Sequence, residues 1–230
     1  MYTKRFSTKD ELLLLSGIDM KKAAVRTTDK PSNHFIQYHY EYVELELLFN
    51  NRYDIEFTNQ STVIPLLSPM HRYTKFISWT GSSYEKTVPF SDDDAYSISD
   101  EEIKDGLYNI HLDLHKPCAK GDSVKCRFRT YVKDDQEIMT PFLSYNISAK
   151  TDKLVLQTRF EKNFFKEHTE NFRLVLYADR EKGIIYEVKP YKDDDNWITI
   201  AEEGDYIKVK TKEIISPYLL YTYSLEWDWK

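Results

Sequence analysis

Along most of this chain apolar and polar residues change places at every second position, and that period limits what it can fold into. At the C-terminus Leu219, Tyr221, Tyr223, Leu225, Trp227 and Trp229 alternate with Leu220, Thr222, Ser224, Glu226 and Asp228. Successive side chains of a strand point to opposite faces, so this segment predicts a strand with one heavy apolar face. A face of that size requires burial, and truncation here is expected to unfold the protein. The same period begins near Tyr38. Val43, Leu45, Leu47 and Phe49 alternate with Tyr42, Glu44, Glu46 and Leu48, and Tyr53, Ile55 and Phe57 with Asp54, Glu56 and Thr58. Further strands are predicted at 73–80, 107–115, 124–132, 153–160, 172–177, 183–189, 197–201 and 206–210. A helical turn at 163–170 interrupts them.

Many short strands with turn residues between them predict an antiparallel sandwich or barrel. Composition agrees. The chain holds 18 Tyr and 12 Phe, residue types that suit a half-buried pleated surface. Only 6 Gly are present, so Asn, Asp and Lys must fill many of the turns.

The N-terminal stretch reads differently. Thr8 and Glu11 have capping-box spacing, Leu12 to Leu15 follow, and Gly17 stands where a glycine would end a helix. A second helical signal covers Met20 to Val25, and 26–33 has the composition of a linker. A helical arm and linker is therefore expected over 1–32. Two helices around a glycine have the outline of a helix-turn-helix, but there is no third helix. The formal net charge of −6 also offers little to hold phosphates.

The chain partly repeats itself. Gly81-Ser82-Ser83-Tyr84-Glu85 recurs as Gly183-Ile184-Ile185-Tyr186-Glu187. Pro89-Phe90-Ser91-Asp92-Asp93-Asp94-Ala95-Tyr96 recurs as Pro190-Tyr191-Lys192-Asp193-Asp194-Asp195-Asn196-Trp197. Glu101-Glu102 then matches Glu202-Glu203, and Gly106-Leu107-Tyr108 matches Gly204-Asp205-Tyr206. A spacing of roughly 100 residues is too long for solenoid or propeller repeats and suits two whole sandwich units. Each copy ends in an acidic residue followed by Gly-x-Tyr and a strand. That resembles the tyrosine corner of immunoglobulin-like sandwiches, where the phenol hydrogen-bonds to backbone just upstream. No Cys–Trp–Cys pattern accompanies it, which argues against an antibody-type domain. The expected architecture is all-β: tandem immunoglobulin-like antiparallel β-sandwiches over 33–150 and 151–230, preceded by the short helical arm.

Residues that could carry chemistry are few. His111, Asp113 and His115 alternate along one strand, so they share a face with the spacing of a His-x-His chelate. Alternation alone also explains them, as the solvent face opposite Tyr108, Ile110, Leu112 and Leu114. The triplets Asp92, Asp93, Asp94 and Asp193, Asp194, Asp195 fall at equivalent places and could bind calcium at a sandwich tip. They lack the spaced oxygen ligands of a six-to-eight coordinate site, so solvated turns are the simpler reading. Tyr38, Tyr40 and Tyr42 are expected on one strand face, as a partner-binding stripe or as packing between layers. Cys118 and Cys126 flank a turn-like segment and could face each other across a hairpin. Two cysteines are too few for a disulfide framework, and reduced thiols are expected.

No nucleophile elbow, Gly-rich phosphate loop or His-Glu-x-x-His motif is present. No run of apolar residues is long enough to span a bilayer, and the N-terminus lacks the pattern of a signal peptide. The sequence thus predicts a cytoplasmic, non-catalytic recognition or scaffold protein without a cofactor. It would bind a protein partner or itself through loops and aromatic strand faces, and neither bind nucleic acid nor span a membrane. Two alternatives remain open. One is a metal-dependent enzyme or metal-binding protein using His111, Asp113 and His115. The other is calcium-dependent binding through the Asp triplets.

Overall fold

The computed structural model describes residues 37–230 apart from 52, 91–94, 105 and 192–195. The expected helical arm lies outside the described residues. In chain order the strands are β1 (Tyr38–Phe49), β2 (Asp54–Pro65), β3 (Met70–Ser78), β4 (Ser83–Pro89), β5 (Tyr96–Lys104), β6 (Leu107–Cys118), β7 (Val124–Lys133), β8 (Phe142–Asn146), β9 (Lys150–Thr151), β10 (Lys153–Glu161), β11 (Thr169–Asp179), β12 (Ile184–Pro190), β13 (Ile198–Glu203), β14 (Tyr206–Thr211), β15 (Ile214–Ile215) and β16 (Thr222–Trp229). One short helix, α1 (Lys162–His168), stands between β10 and β11. Glu161 caps it, its carboxylate accepting from the amides of Asn163 and Phe164, each at 3.0 Å. The described fold is all-β in several sheets, and none of its helices is long and apolar enough to cross a membrane.

The strands form three sheets. The first runs β13-β14-β10-β1-β2-β7-β4, with β15 beside β10 and β9 beside β1. The second is β12-β11-β16-β8 and the third β3-β6-β5. At the centre of the first sheet β1 and β10 pair in parallel, Val43 opposite Leu154 through Phe49 opposite Phe160. The boundary expected at 150/151 falls within β9, and the sheet continues unbroken across it.

Both smaller sheets pack on the face of the first sheet that carries Tyr40, Leu45, Leu47 and Phe49. At one end the Tyr40 ring meets that of Tyr73 from β3 at 6.4 Å, edge to face. At the other, Phe49 stacks on Phe160 at 4.6 Å and meets Trp227 of β16 edge-on at 5.8 Å. Trp227 also lies against Phe160 and Phe172, at 5.6 and 6.1 Å. This aromatic cluster is the main hydrophobic tie between the first and second sheets. The apolar face expected of the C-terminal strand is buried from Leu219 to Trp227. Its polar face is buried too at Thr222, Ser224 and Glu226, and Glu226 is held there by the Tyr177 hydroxyl and by Arg173, both from the neighbouring β11.

Three local expectations need correction. Tyr38, Tyr40 and Tyr42 do not share a face. Glu41 is an extra residue between the Tyr40–Val63 and Tyr42–Thr62 pairs, and such a bulge reverses the alternation that follows it. Tyr40 is buried against Tyr73, while Tyr42 points the other way and donates to Glu44. Cys118 and Cys126 do not face each other across a hairpin. β6 pairs with β3 and β5, β7 with β2 and β4, so the chain changes sheets between them. Neither cysteine is in a disulfide, Cys126 lying in the core and Cys118 half-buried. The two corner tyrosines do not turn back to the backbone. The Tyr108 hydroxyl donates to the Glu102 carboxylate and that of Tyr206 to the Asn50 side chain, each at 3.3 Å.

Candidate functional site

His111, Asp113 and His115 do share one face of β6, opposite the buried Ile110 and Leu112. Each meets its own partner. His111 Nδ1 shares a hydrogen bond with the Thr74 hydroxyl at 2.9 Å, and its Nε2 lies 3.9 Å from the Glu101 carboxylate. Both oxygens of Asp113 are held by Arg72, at 2.5 and 3.0 Å. That two-pronged contact keeps the Asp113 carboxyl below the usual carboxylate range. His115 is exposed, and its amide donates to Ala95 at 2.9 Å. Among the described residues no group of three or more His, Cys, Asp or Glu side chains is gathered as metal ligands. The Asp triplets 92–94 and 193–195 lie outside the described residues.

The structure brings together a different group, which sequence reasoning missed. On β3, Tyr73, Lys75 and Ile77 point inward, and Lys75 is the one charged side chain among them. β3 is an edge of the third sheet and β8 an edge of the second, and they face each other across a seam above β1 and β2. A cleft of about 320 Å³ opens along that seam. Its floor is Tyr40, Leu45, Leu47 and Phe57, its walls are β3 and β8, and Trp79 and Met139 stand at one end.

Lys75 Nζ lies 3.9 Å from the centroid of the Tyr145 ring and 6.0 Å from that of Tyr40. No carboxylate pairs with it among the described residues. The residue as a whole is half-buried, yet its amine is packed round deeply enough that desolvation pushes its pKa down to about 7. Burial drives the phenols of Tyr40, Tyr73 and Tyr145 well above their ordinary range, so the surroundings stay uncharged. An unpaired ammonium against aromatic faces is held by cation–π attraction, and it retains donors to offer a ligand. The sequence did carry a signal for this group: Tyr73, Ile77 and Trp79 form one face of a strand, and a lysine interrupts it.

A second feature lies on the far side of the second sheet. β12 is its edge, paired among the described residues with β11 alone. Ile184, Ile185, Tyr186 and Val188 along it are 51, 52, 57 and 46% exposed. Its other register positions carry the Glu187–Lys189 ion pair at 2.8 Å, with Lys189 also 4.7 Å from the Trp197 ring centroid. Two bulges break its pairing with β11 around Tyr177.

No protein-family model matches the chain, and no curated protein matches it. Solved structures do resemble it in part. One is a candidate protease from Parabacteroides distasonis, 9% identical with a TM-score of 0.48, covering 84% of this chain and 40% of that one. A two-domain M1 zinc metallopeptidase bound to L-arginine is 7% identical with a TM-score of 0.44, covering 83% of this chain and 42% of that one. The M1 zinc metallopeptidase from Deinococcus radiodurans is 6% identical at a TM-score of 0.42, over 83% of this chain and 42% of that one. The chain thus spans about two fifths of the length of these structures. The peptidase chemistry in their names is a property of those proteins.

Proposed function

We propose that this chain is a non-catalytic recognition protein, and that it holds an extended segment of a protein partner along β12. The carrying observation is the row of exposed Ile184, Ile185, Tyr186 and Val188 on a strand whose outer backbone edge has no strand beside it among the described residues. Edge strands offer unpaired N–H and C=O groups, and an added strand gains both main-chain bonds and side-chain pockets. Apolar residues rarely cluster on a free surface without a partner to cover them. The bulges beside Tyr177 and the Glu187–Lys189 pair interrupt a flat register, which favours one matching segment over indiscriminate edge pairing.

Two wider readings belong to the same proposal. The two repeat blocks are remnants of a duplicated, immunoglobulin-like module. In support, each block supplies one strand to one sheet and then a hairpin to another: β4 then β5–β6, and β12 then β13–β14. The protein works in the cytoplasm, in keeping with two cysteines that are not joined in a disulfide.

The test is a charge placed on the edge. Ile185→Lys with Val188→Glu should leave the melting temperature nearly unchanged, since both side chains are already exposed. It should abolish cross-linking to the native partner, or to a second copy, through a photoreactive group at position 186. Unchanged cross-linking in the double variant would sink the reading.

A further inference from the structure

We propose that the seam cleft between β3 and β8 binds an apolar carboxylate, a medium-chain aliphatic or aryl-alkanoic acid, with its acid group against Lys75 Nζ. The site is separate from β12 and shares none of its residues.

The argument begins with what the cleft is made of. Leu45, Leu47 and Phe57 give it an apolar floor, and the rings of Tyr40 and Tyr145 line the approach to the amine. Its volume of about 320 Å³ lies at the small end of ligand pockets. An apolar cavity of roughly 150 Å³ accommodates benzene, so the cleft has room for about twice that bulk. A chain of roughly eight carbons or a substituted ring meets that limit.

The chemistry of the mouth then selects the head group. Lys75 brings a cation into a cleft where no described carboxylate faces it, and cation–π contact with Tyr145 satisfies only part of its hydrogen-bonding capacity. A second cation would be repelled, and a neutral alcohol would leave the ammonium without a counter-charge. A carboxylate supplies the charge and accepts the bonds the amine has to give. The hydrocarbon tail meanwhile removes the apolar floor from water.

The experiment is calorimetric titration of the native protein at pH 6, where the Lys75 amine is protonated, with octanoate, 1-octanol and octylamine, repeated on Lys75→Met. Octanoate should bind native protein at least about tenfold more tightly than either analogue, the usual scale of one charge-assisted hydrogen bond. In Lys75→Met the octanoate preference should vanish while 1-octanol still binds, which shows that the cleft survives. A melting temperature at or above that of the native protein excludes misfolding of the variant. Equal binding of octanoate and octylamine, retention of octanoate affinity in Lys75→Met, or no binding of any of the three would overturn the proposal.

Discussion

The ammonium of Lys75 stands 3.9 Å from the centre of the Tyr145 ring and so joins β3 to β8, edge strands of two different sheets. The contact places a cation where the surrounding side chains cannot balance its charge. Its energetic consequence follows from the sign of the shift. The pKa falls from 10.5 to about 7 on folding, so between those values the unfolded chain holds a proton that the native protein has released. Stability therefore rises with pH across that window, and the full burial cost is felt below pH 7.

Lys75→Met tests that account. A shift of this size corresponds to about 4–5 kcal/mol at roughly 1.4 kcal/mol per unit. Solvent reaching the mouth of the cleft reduces the expected gain to about 2–3 kcal/mol. Urea unfolding at pH 6 should find the variant more stable by that amount, with the gap closing as pH approaches 10. A gap that does not change with pH would mean the amine is not desolvated.

The parallel pairing of β1 with β10 makes each half of the chain a wall of the other's core. Phe49 stacks on Phe160 across that pair and on Phe164 of α1 at 6.0 Å. Residues 33–150 made alone would expose this row together with the unpaired edge of β1. Neither 33–150 nor 151–230 is expected to give a dispersed amide spectrum or a cooperative melt by itself, whereas the two halves produced together should. Independent folding of either half would show that the shared sheet is dispensable.

Trp227 is fully buried among Phe49, Phe160, Phe172 and Trp229, so Trp227→Ala should cost about 3–5 kcal/mol. Its indole N–H has no hydrogen-bond partner among the described residues. Trp227→Phe removes that buried donor together with some volume, and the two effects oppose each other. The Phe variant should therefore lose less than about 2 kcal/mol in denaturant unfolding. A loss equal to that of the Ala variant would indicate that the indole N–H is bonded after all.

Much of this arrangement was legible in the period of the sequence, and the rest was hidden for identifiable reasons. β1 and β7 alternate cleanly because each has one buried face; β16 alternates in sequence although both its faces are buried, and β10 is legible as the apolar run Leu154-Val155-Leu156 of a strand buried on both faces. β4, β5 and β8 escaped notice. The first two lie at sheet edges with most of their side chains exposed, and β8 is only Phe142–Asn146. Alternation reports faces and not neighbours, so the pairing of β1 with β10 left no local trace. The bulge at Glu41 did leave one: the Tyr38-Tyr40-Tyr42 and Val43-Leu45-Leu47 series are out of phase by one residue. The cleft was visible only as a lysine on an apolar strand face, and its depth depends on how two other sheets meet above it.

The histidine strand offers the last prediction. A metal held by His111, Asp113 and His115 would need the Asp113 carboxylate, and both oxygens of that group are bound by Arg72. It would also need His111 Nδ1 or Nε2 turned away from Thr74 and Glu101. Binding therefore competes with an ion pair already made, and the remaining ligand, His115, sits in solvent. Arg72→Ala frees the carboxylate, so Asp113 should titrate closer to an ordinary aspartate in that variant, since its depressed pKa comes first from Arg72. Zinc added to the native protein should leave its melting temperature within about 1 °C, and the metal content after dialysis should stay below stoichiometric. If native protein instead retains one equivalent of zinc that is lost in His111→Ala, the Arg72 pair is a resting state that the metal displaces, and the metal-binding alternative gains the ground that recognition now holds.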